Sequence, residues 1–450
     1  MQIAPERIAA LMAAEQDRFA ATHVRSGELA AEAAAHLAGG VPMAWMTRLP
    51  GSHPVFFERA SGAHVVDVDG NDYVDLCLGD TGAMTGHAIP AVAEAVAARA
   101  AAGITTMLPS TDAAWVGAEL ARRFGLPLWQ MAMTATDANR FVLRLARAVT
   151  GRTKILVFDW CYHGTVDETL VVRDAAGLAR PRSGSLGPPV DPSLTTVVVP
   201  FNDVAALEQA LATGEVACVL AEPALTNIGI VLPEPGFHDA LRRLTRDTGT
   251  LLVLDETHTI CCGPGGATAA WGLDPDLLVI GKPIGGGVPA AAYGMTQEVF
   301  DAIAGALADD SIDVSGIGGT LTGNALALAA VRATLSTCLR EEDFAVAIPL
   351  AEAWAAGVRA ACTDHGLDWH VQQLGARAEY WFSPPPRDGA TAAAAARGDL
   401  DALLHLWCFN RGVLLTPFHN MALFSPAHTT DDVDRHTEVF AAALAALTAS

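Results

Sequence analysis

The stretches LLVLDETHT (251–259) and LLVIGKPIGGG (277–287) decide the fold of this chain. Each opens with an apolar run that is typical of a strand buried on both faces of a sheet, and the runs lead into Asp255 and Lys282. Because the carboxyl ends of parallel strands meet at one edge of a sheet, we expect these two side chains to lie close together. The pattern predicts an α/β enzyme with its chemistry at that edge.

The two polar side chains together suggest one cofactor. A desolvated lysine flanked by Gly281 and by Gly285–Gly287 can lose its proton and attack an aldehyde as a Schiff-base nucleophile. Asp255 can then keep a pyridine nitrogen protonated, which makes the ring an electron sink. Taken singly, a solvated lysine and a helix-capping aspartate are the ordinary interpretations. As a pair, Lys282 and Asp255 predict a site for pyridoxal phosphate.

Other segments offer the remaining parts of such a site. In MTATDAN (133–139), Thr134, Ala135 and Thr136 lead into a helical stretch, whose first backbone amides are free to bind a phosphate. An ordinary helix cap is the alternative interpretation. Tyr162 and His163 follow the strand-like run KILVF and are candidates to lie against a flat ring, although they could equally plug the sheet edge.

Two further segments supply polar contacts. AEPALTN (221–227) places Glu222 at the end of another strand-like run and Asn227 just beyond it, both able to hydrogen-bond a cofactor or substrate oxygen. Either residue could instead serve a turn. GGTLTGN (318–324) is a glycine-rich turn entering a helix, with Thr320 as a second candidate for a phosphate contact.

In these segments the chain resembles the class III pyridoxal-phosphate aminotransferases of fold type I, in the branch of glutamate-1-semialdehyde aminomutase and of β-amino-acid and amine transaminases. The resemblance runs from about residue 36 to the C-terminus, through HVVDVDGNDYVDL, TATDAN, LRLARAVTGRTKILVF, CYHG, AEPALTN, LDETHT, GKPIGGGVP and GGTLTGN. It implies a mostly parallel central sheet with helices on both faces, and a small α+β domain built from the N- and C-terminal parts.

The resemblance also assigns roles. It implies that Lys282 is the Schiff-base lysine, that Asp255 pairs with the pyridine nitrogen and that Tyr162 lies over the ring. Ala135 and Thr136 would contact the phosphate, and Thr320 would do so across the interface of a homodimer. The family's serine-glycine-threonine-glutamate turn reads Thr134 to Asp137 here, so an alanine replaces the glycine. That replacement is tolerable only if the backbone needs no positive φ.

The substrate-binding segments depart further from the branch. The branch carries an arginine after an early Gly-Gly-Val that binds a substrate carboxylate. In GGVPMAWMTRLPG (39–51) the nearest positions are Met43, Trp45 and Met46, and Arg48 lies two residues beyond. Near the C-terminus, LLTPFHN (414–420) offers His419 and Asn420 where other members place a switchable arginine.

His258 likewise replaces a residue that is commonly apolar or an amide. We therefore expect Trp45, Arg48, His258 and His419 to face the substrate. That substrate would be an amine, a β-amino acid or an amino sugar rather than a dicarboxylate.

The residues favour an aminotransferase. It would move an amino group from an amine or amino-acid donor to a keto or aldehyde acceptor by a ping-pong mechanism. An alternative is an aminomutase of the glutamate-1-semialdehyde type, or an epimerase, for which Cys161 or Cys262 could supply a second proton-transfer group. A further alternative is a non-catalytic binding protein of the same fold, although intact Lys282 and Asp255 count against it.

Composition limits the other classes. At 450 residues and 51% hydrophobic composition the chain can bury a large core. A formal charge of -22 argues against binding to nucleic acid or an anionic membrane, and no apolar run approaches the roughly 20 residues of a span. With no signal-peptide pattern and scattered cysteines that suggest reduced thiols, we expect a cytoplasmic protein. His258, Cys261 and Cys262 could suggest zinc, but adjacent cysteines rarely point at one metal, so we expect no metal site.

The chain is expected to comprise three parts. Residues 1–90 would form an N-terminal helix and a β-hairpin around Asp69–Gly70, residues 91–335 the large cofactor-binding domain, and residues 336–450 an α+β small domain. The runs KILVF, TVVVP, VACVL, LLVLD and LLVIG alternate with helical segments, which predicts a mostly parallel sheet. The alanine-rich stretch 384–399 is expected to be a loop that runs into a helix.

Overall fold

The computed structural model of the chain describes residues 3–187, 190–307 and 315–449. They form two compact units. The first comprises residues 1–89, 342–385 and 395–450, and the second comprises residues 90–341 and 386–394. The short stretch 386–394 groups with the second unit because Arg387 pairs with Glu234 through Nε at 2.5 Å, and its carbonyl accepts a hydrogen bond from Asn202 Nδ2 at 2.9 Å.

The helices follow one another along the chain as α1 (Pro5–Thr22), α2 (Val24–Ala33), α3 (Pro90–Ala102), α4 (Asp112–Phe124), α5 (Ala135–Thr150), α6 (Val204–Leu211), α7 (Phe237–Thr248), α8 (Gly266–Ala270), α9 (Gln297–Leu307), α10 (Ala325–Thr337), α11 (Glu341–Asp364), α12 (Gly389–Ala394), α13 (Gly398–Phe409) and α14 (Thr430–Thr448). The strands are β1 (Phe57–Ser61), β2 (His64–Asp67), β3 (Asp72–Asp75), β4 (Leu128–Ala132), β5 (Lys154–Phe158), β6 (Val171–Arg173), β7 (Ala179–Pro181), β8 (Thr196–Val199), β9 (Val216–Ala221), β10 (Leu251–Asp255), β11 (Leu277–Ile280), β12 (Ala291–Met295), β13 (His370–Leu374), β14 (Arg377–Trp381), β15 (Val413–Leu414) and β16 (Met421–Leu423).

The second unit is built around a seven-stranded sheet in the order β4-β12-β11-β10-β9-β5-β8. The five apolar runs picked out in the sequence are five of its strands, and they pair in parallel. β12 runs antiparallel to both of its neighbours. The prediction of a mostly parallel sheet is therefore confirmed. Every residue of β9 and β11 is buried, which follows from helices covering both faces.

The first unit carries two smaller sheets, in the orders β1-β2-β3-β15 and β13-β14-β16. β2 and β3 form the predicted antiparallel hairpin, with His64 opposite Val74. β15 joins the same sheet in parallel with β3. A further link between distant parts of the sequence is the ion pair of Arg411 with Glu15, at 2.8 Å between Nη2 and Oε1. Segments from both ends of the chain thus build this one unit.

By length and apolar composition alone, α11 could cross a membrane. Its inward side chains lie in the core of the first unit instead: Trp354 is fully buried and stacks on Tyr380 with ring centroids 6.2 Å apart. We read α11 as a core helix.

We expect His436 to make the stability of the first unit depend on pH. The residue is fully buried on α14, 5.0 Å from the Trp354 ring, and neither ring nitrogen has a hydrogen-bond partner among the described residues. Burial lowers the pKa of His436 to about 3. The ordinary pKa of histidine is about 6.5. At a pH between these two pKa values, His436 binds a proton in the unfolded chain but not in the folded chain.

We therefore expect the free energy of unfolding to fall with pH below about 6.5, with His436 contributing about 1.4 kcal/mol per pH unit. His436→Phe keeps a flat ring and should flatten the fall of Tm between neutral pH and about pH 4.5. His36→Phe, at an exposed position, serves as the control. Equal slopes for the wild-type protein and His436→Phe would contradict the prediction.

Candidate active site

Lys282 lies where β11 turns away from the sheet edge. It begins a single turn, Lys282–Gly285, and its φ of 49° is a left-handed conformation that lysine rarely adopts. Gly286 and Gly287 also have positive φ, at 57° and 99°, so the turn depends on residues without a side chain. β10 and β11 are parallel neighbours, with Asp255 opposite Val279. The expectation that Asp255 and Lys282 follow adjacent parallel strands is confirmed.

The Lys282 amine is next to a histidine. Lys282 Nζ lies 2.7 Å from His258 Nε2, and His258 is only 8% exposed. His258 comes three residues after the end of β10. The sequence suggested His258 as a cofactor or substrate contact, and the structure places it against the lysine.

Glu256 fixes the segment that carries His258. Its side chain is fully buried and accepts hydrogen bonds from Thr259 Oγ1 at 2.5 Å and from the Ala267 amide at 3.1 Å. Both the Thr268 amide and its hydroxyl donate to the other carboxylate oxygen. Burial raises the pKa of Glu256 against these bonds. A side chain held at both oxygens leaves the neighbouring turn little freedom.

Asp255 is buried and bonded at both oxygens. Oδ2 accepts from Asn139 Nδ2 at 2.8 Å and lies 3.0 Å from His163 Nδ1, while Oδ1 accepts from the Thr257 amide at 3.1 Å. Burial by itself raises the pKa of Asp255. The hydrogen bond and charge of His163, with the bonds from Thr257 and Asn139, outweigh burial and lower the pKa below its usual value. The carboxylate is therefore ionised at neutral pH. A fixed anion at this edge suits a cationic ring nitrogen.

His163 completes an ion pair with Asp255. Burial lowers the pKa of His163, whereas the Cys161 sulfur and the Asp255 carboxylate raise it, and the pKa lies at about 10. The sequence suggested that His163 contacts the cofactor as a flat side chain beside Tyr162. In the structure its imidazole is directed at Asp255, so it acts on the site through that carboxylate.

Asn139 was not assigned a role from the sequence. Its Nδ2 donates to Asp255 and also to the His163 carbonyl at 3.1 Å. The sequence feature that could have identified Asn139 is its position as a polar amide on the buried face of α5, among Ala138, Phe141 and Val142. A buried amide on such a face nearly always has a partner elsewhere in the fold.

The predicted anion site lies at the N-terminus of α5. Thr134 is the N-cap, and its Oγ1 accepts a hydrogen bond from the Asp137 amide at 3.2 Å. The amides of Ala135 and Thr136 are in the first helical turn, where no preceding helical carbonyl can accept from them. Thr136 Oγ1 also accepts from the Thr165 amide at 3.1 Å. Ala135 is helical and has no positive φ, which meets the condition for replacing the family's glycine.

Gly281 makes room for this cradle. A Cβ at Gly281 would stand 3.0 Å from the Ala135 Cβ and 3.4 Å from its amide nitrogen. The residue before the lysine therefore packs directly against the start of α5. The anion site, Lys282 and Asp255 share one sheet edge, and together their donor set fits pyridoxal phosphate.

A double substitution tests this contact. We expect Gly281→Ala to weaken pyridoxal phosphate binding by about 1–3 kcal/mol, because the new methyl group would push the start of α5 out of position. The variant Ala135→Gly/Gly281→Ala should recover most of that loss, and Ala135→Gly alone is the matched control. The Kd of the cofactor from a fluorescence titration provides the measurement. A double variant no better than Gly281→Ala would refute the contact.

The remaining candidates of the second unit also follow strands of the sheet. Tyr162 is half-buried after β5, and Glu222 is buried directly after β9, where its carboxylate accepts a hydrogen bond from Thr226 Oγ1. Asn227 is half-buried and forms an isolated β-bridge with Gly229. Thr320 is exposed in the turn before α10. Their roles toward a cofactor stay predictions.

The expected substrate residues Trp45, Arg48 and His419 belong to the first unit. Trp45 is 40% exposed and meets Phe418 edge-on, with ring centroids 5.6 Å apart. Arg48 is exposed at the end of the same short turn. His419 is buried, with Nδ1 3.2 Å from Glu379 Oε1. That these three residues face a substrate also stays a prediction.

The two adjacent cysteines differ in exposure, since Cys261 is buried and Cys262 half-buried. A hydrogen bond with Cys261 and burial both raise the pKa of Cys262, so it is a thiol at neutral pH. Within residues 3–187, 190–307 and 315–449, no group of three histidine, cysteine or acidic side chains is arranged to hold a metal ion.

Comparison with known proteins agrees with this geometry. Residues 47–366 match the aminotransferase class-III family. A glutamate-1-semialdehyde 2,1-aminomutase of Chloroflexus aggregans is 36% identical over 400 residues, which cover 86% of this chain and 89% of that protein. A crystal structure of a glutamate-1-semialdehyde aminomutase from Pseudomonas aeruginosa has a TM-score of 0.97 at 49% identity, covering 99% of this chain and 100% of that one.

A β-phenylalanine aminotransferase from Variovorax paradoxus is more distant. Its TM-score is 0.85 at 27% identity, with 97% of both chains covered. These similarities confirm the expected family, the fold type I architecture and the cofactor. The chain belongs to the aminotransferase class-III family, whose cofactor is pyridoxal phosphate.

Proposed function

We propose that this enzyme is an aminomutase, which moves an amino group between neighbouring carbons of one substrate molecule. The similarity to glutamate-1-semialdehyde aminomutases supports the proposal, because it extends over nearly the whole chain at 36% and 49% identity. A lysine-to-alanine variant of the Pseudomonas aeruginosa protein has been solved in complex with PMP, the amine form of the cofactor. The similarity to aminomutases favours this activity, which the sequence left as an alternative, over transfer between two molecules.

The residues of the second unit have distinct tasks in this reaction. Bound pyridoxal phosphate supplies an electron-accepting ring that stabilises a carbanion next to the substrate nitrogen. Lys282 would hold the cofactor at rest and, once released, move a proton at its Nζ. Asp255 would keep the ring nitrogen protonated, and its bonds from Asn139 and His163 prevent the carboxylate from turning away. The Ala135 and Thr136 amides would bind the phosphate.

Transamination between two molecules is the second candidate, and the loop at residues 39–51 favours it. Met43, Trp45 and Met46 are 45%, 40% and 52% exposed, and they occupy the positions nearest to the branch's carboxylate-binding arginine. An apolar and aromatic surface suits an amine or a β-amino acid better than a dicarboxylate. The similarity to a β-phenylalanine aminotransferase supports such a substrate.

Incubation with single substrates separates the two candidates. The enzyme loaded with the amine form of the cofactor is mixed with glutamate-1-semialdehyde and no other carbonyl compound. An aminomutase converts it completely into the isomer with the amino group on the neighbouring carbon. A transaminase stops after one equivalent and turns over only when a second substrate is added.

An Arg48→Ala variant reports on substrate class. If glutamate and 2-oxoglutarate prove to be the best pair of substrates and the variant loses activity with both, an apolar substrate is excluded.

We also propose a cytoplasmic homodimer in which Thr320 of one subunit serves the site of the other. Thr320 is exposed within a single chain, which leaves it accessible to a partner. A Thr320→Ala variant that stays dimeric by light scattering but binds the cofactor more weakly would support this assignment. Unchanged cofactor affinity would count against it.

A further inference from the structure

The contact between Lys282 and His258 joins two nitrogen atoms that can each carry a proton. At 2.7 Å, Nζ and Nε2 are within hydrogen-bond distance. A lysine ammonium has only protons to donate, so an ammonium here requires a neutral imidazole with its own proton on Nδ1. If the imidazole is charged instead, its Nε2 proton is donated to a neutral amine. In either arrangement one nitrogen donates the shared proton and the other accepts it.

Both groups of the contact are largely shielded from solvent. His258 is only 8% exposed and Lys282 is half-buried, so water has limited access. Asp255, three residues before His258, is bonded to Asn139, His163 and Thr257. The turn of His258 is fixed by Glu256, which bonds both Thr259 and the start of α8. The imidazole is therefore held in place for the amine.

We propose that His258 is a proton relay for Lys282. When Lys282 reacts as a free amine, a proton moves from Nζ to Nε2, so that one N–H bond breaks and another forms while Nδ1 keeps its proton. The reverse transfer recharges the lysine when it must act as an acid. Imidazole suits both directions because it exchanges protons near neutral pH. The inference rests on the proposed function only in that Lys282 must act as nucleophile and base, which either candidate reaction requires.

The sequence makes a direct test possible, because Lys282 and Lys154 are the only two lysines among the 450 residues. Full-length protein without cofactor is treated with an amine-selective acylating reagent at neutral pH, and the label on each lysine is followed by peptide mass spectrometry. Lys154, which pairs with Glu215 at 2.7 Å, is the internal reference for folding and reagent activity. The wild-type protein is compared with His258→Gln and His258→Leu.

The two variants distinguish proton transfer from positioning. Glutamine can accept a hydrogen bond from the ammonium but cannot take its proton, whereas leucine can do neither. We expect labelling of Lys282, relative to Lys154, to fall by about tenfold or more in both variants. If Lys282 is labelled at the wild-type rate in His258→Gln and is labelled slowly only in His258→Leu, the histidine merely positions the lysine and the relay is overturned. Wild-type rates in both variants would overturn it as well.

This readout uses no substrate, so it is independent of the reaction proposed above. An enzyme that proves to be a transaminase would still show slow labelling in both variants. Conversely, if the enzyme is an aminomutase and Lys282 is labelled at the wild-type rate in both His258 variants, the proposed function stands and the relay is excluded.

Discussion

Lys282→Ala is expected to lower kcat by roughly 10³-fold or more while leaving the protein folded. The side chain provides both the nucleophile that holds the cofactor and the group that moves the proton, and the loss of either task stops turnover. Pyridoxal phosphate should still bind without a covalent bond, because the start of α5 and Asp255 are untouched. Steady-state kcat and cofactor affinity are the two measurements.

The chain provides a matched control for this variant. Lys154→Ala removes the only other lysine, whose side chain is 30% exposed and pairs with Glu215. Such a surface ion pair contributes about 0–1 kcal/mol, and kcat should not change. Turnover by Lys282→Ala within tenfold of the wild-type rate would show that the lysine has been wrongly assigned.

Asp255→Asn is expected to reduce kcat by roughly 10²–10³-fold, since an amide cannot keep the pyridine nitrogen protonated. Stability should change as well. Burial lowers the pKa of His163, whereas Cys161 and the Asp255 carboxylate raise it, so loss of the carboxylate should lower that pKa. Asp239→Asn, at an exposed position of α7, is the control for the loss of one negative charge.

The pH dependence of Tm separates this effect from a general loss of stability. In the wild-type protein the pKa of His163 lies at about 10, above its value of about 6.5 in an unfolded chain. Its contribution to stability is therefore complete below about pH 6.5 and is lost as the pH rises through about 10. Wild-type Tm should fall over that window, and the part of the fall that is due to His163 should be smaller in Asp255→Asn. Parallel curves would exclude the ion pair.

The central sheet could be predicted from the sequence because most of its strands have a simple apolar pattern. β9, β10 and β11 are continuous apolar runs, which report burial on both faces directly. β4 and β12 were not picked out, since LWQMA contains a glutamine and AAYGM a glycine. Their place in the sheet comes from pairing with each other and with β11, which short sequence patterns do not encode.

The site was predicted as a set of residues but not as a network. Asn139 and His163 lie 116 and 92 positions from Asp255, so only the completed fold brings them together. The contact of His258 with Lys282 depends on the left-handed turn at the lysine, and GKPIGGG indicates an unusual turn without giving its direction. His419 pairs with Glu379 because β14 and β16 are neighbours, a register that the sequence did not reveal.

The close approach of Gly281 to Ala135 also constrains the history of this site. A methyl group at both positions would place two carbons 3.0 Å apart, so the two substitutions are not independent. An ancestor with the family's usual glycine at position 135 could have had a larger residue before the lysine. We expect alanine at 135 to be tolerated fully only together with glycine at 281. As long as Ala135 is present, a side chain at position 281 would push against the start of α5, so we expect the two positions to change together.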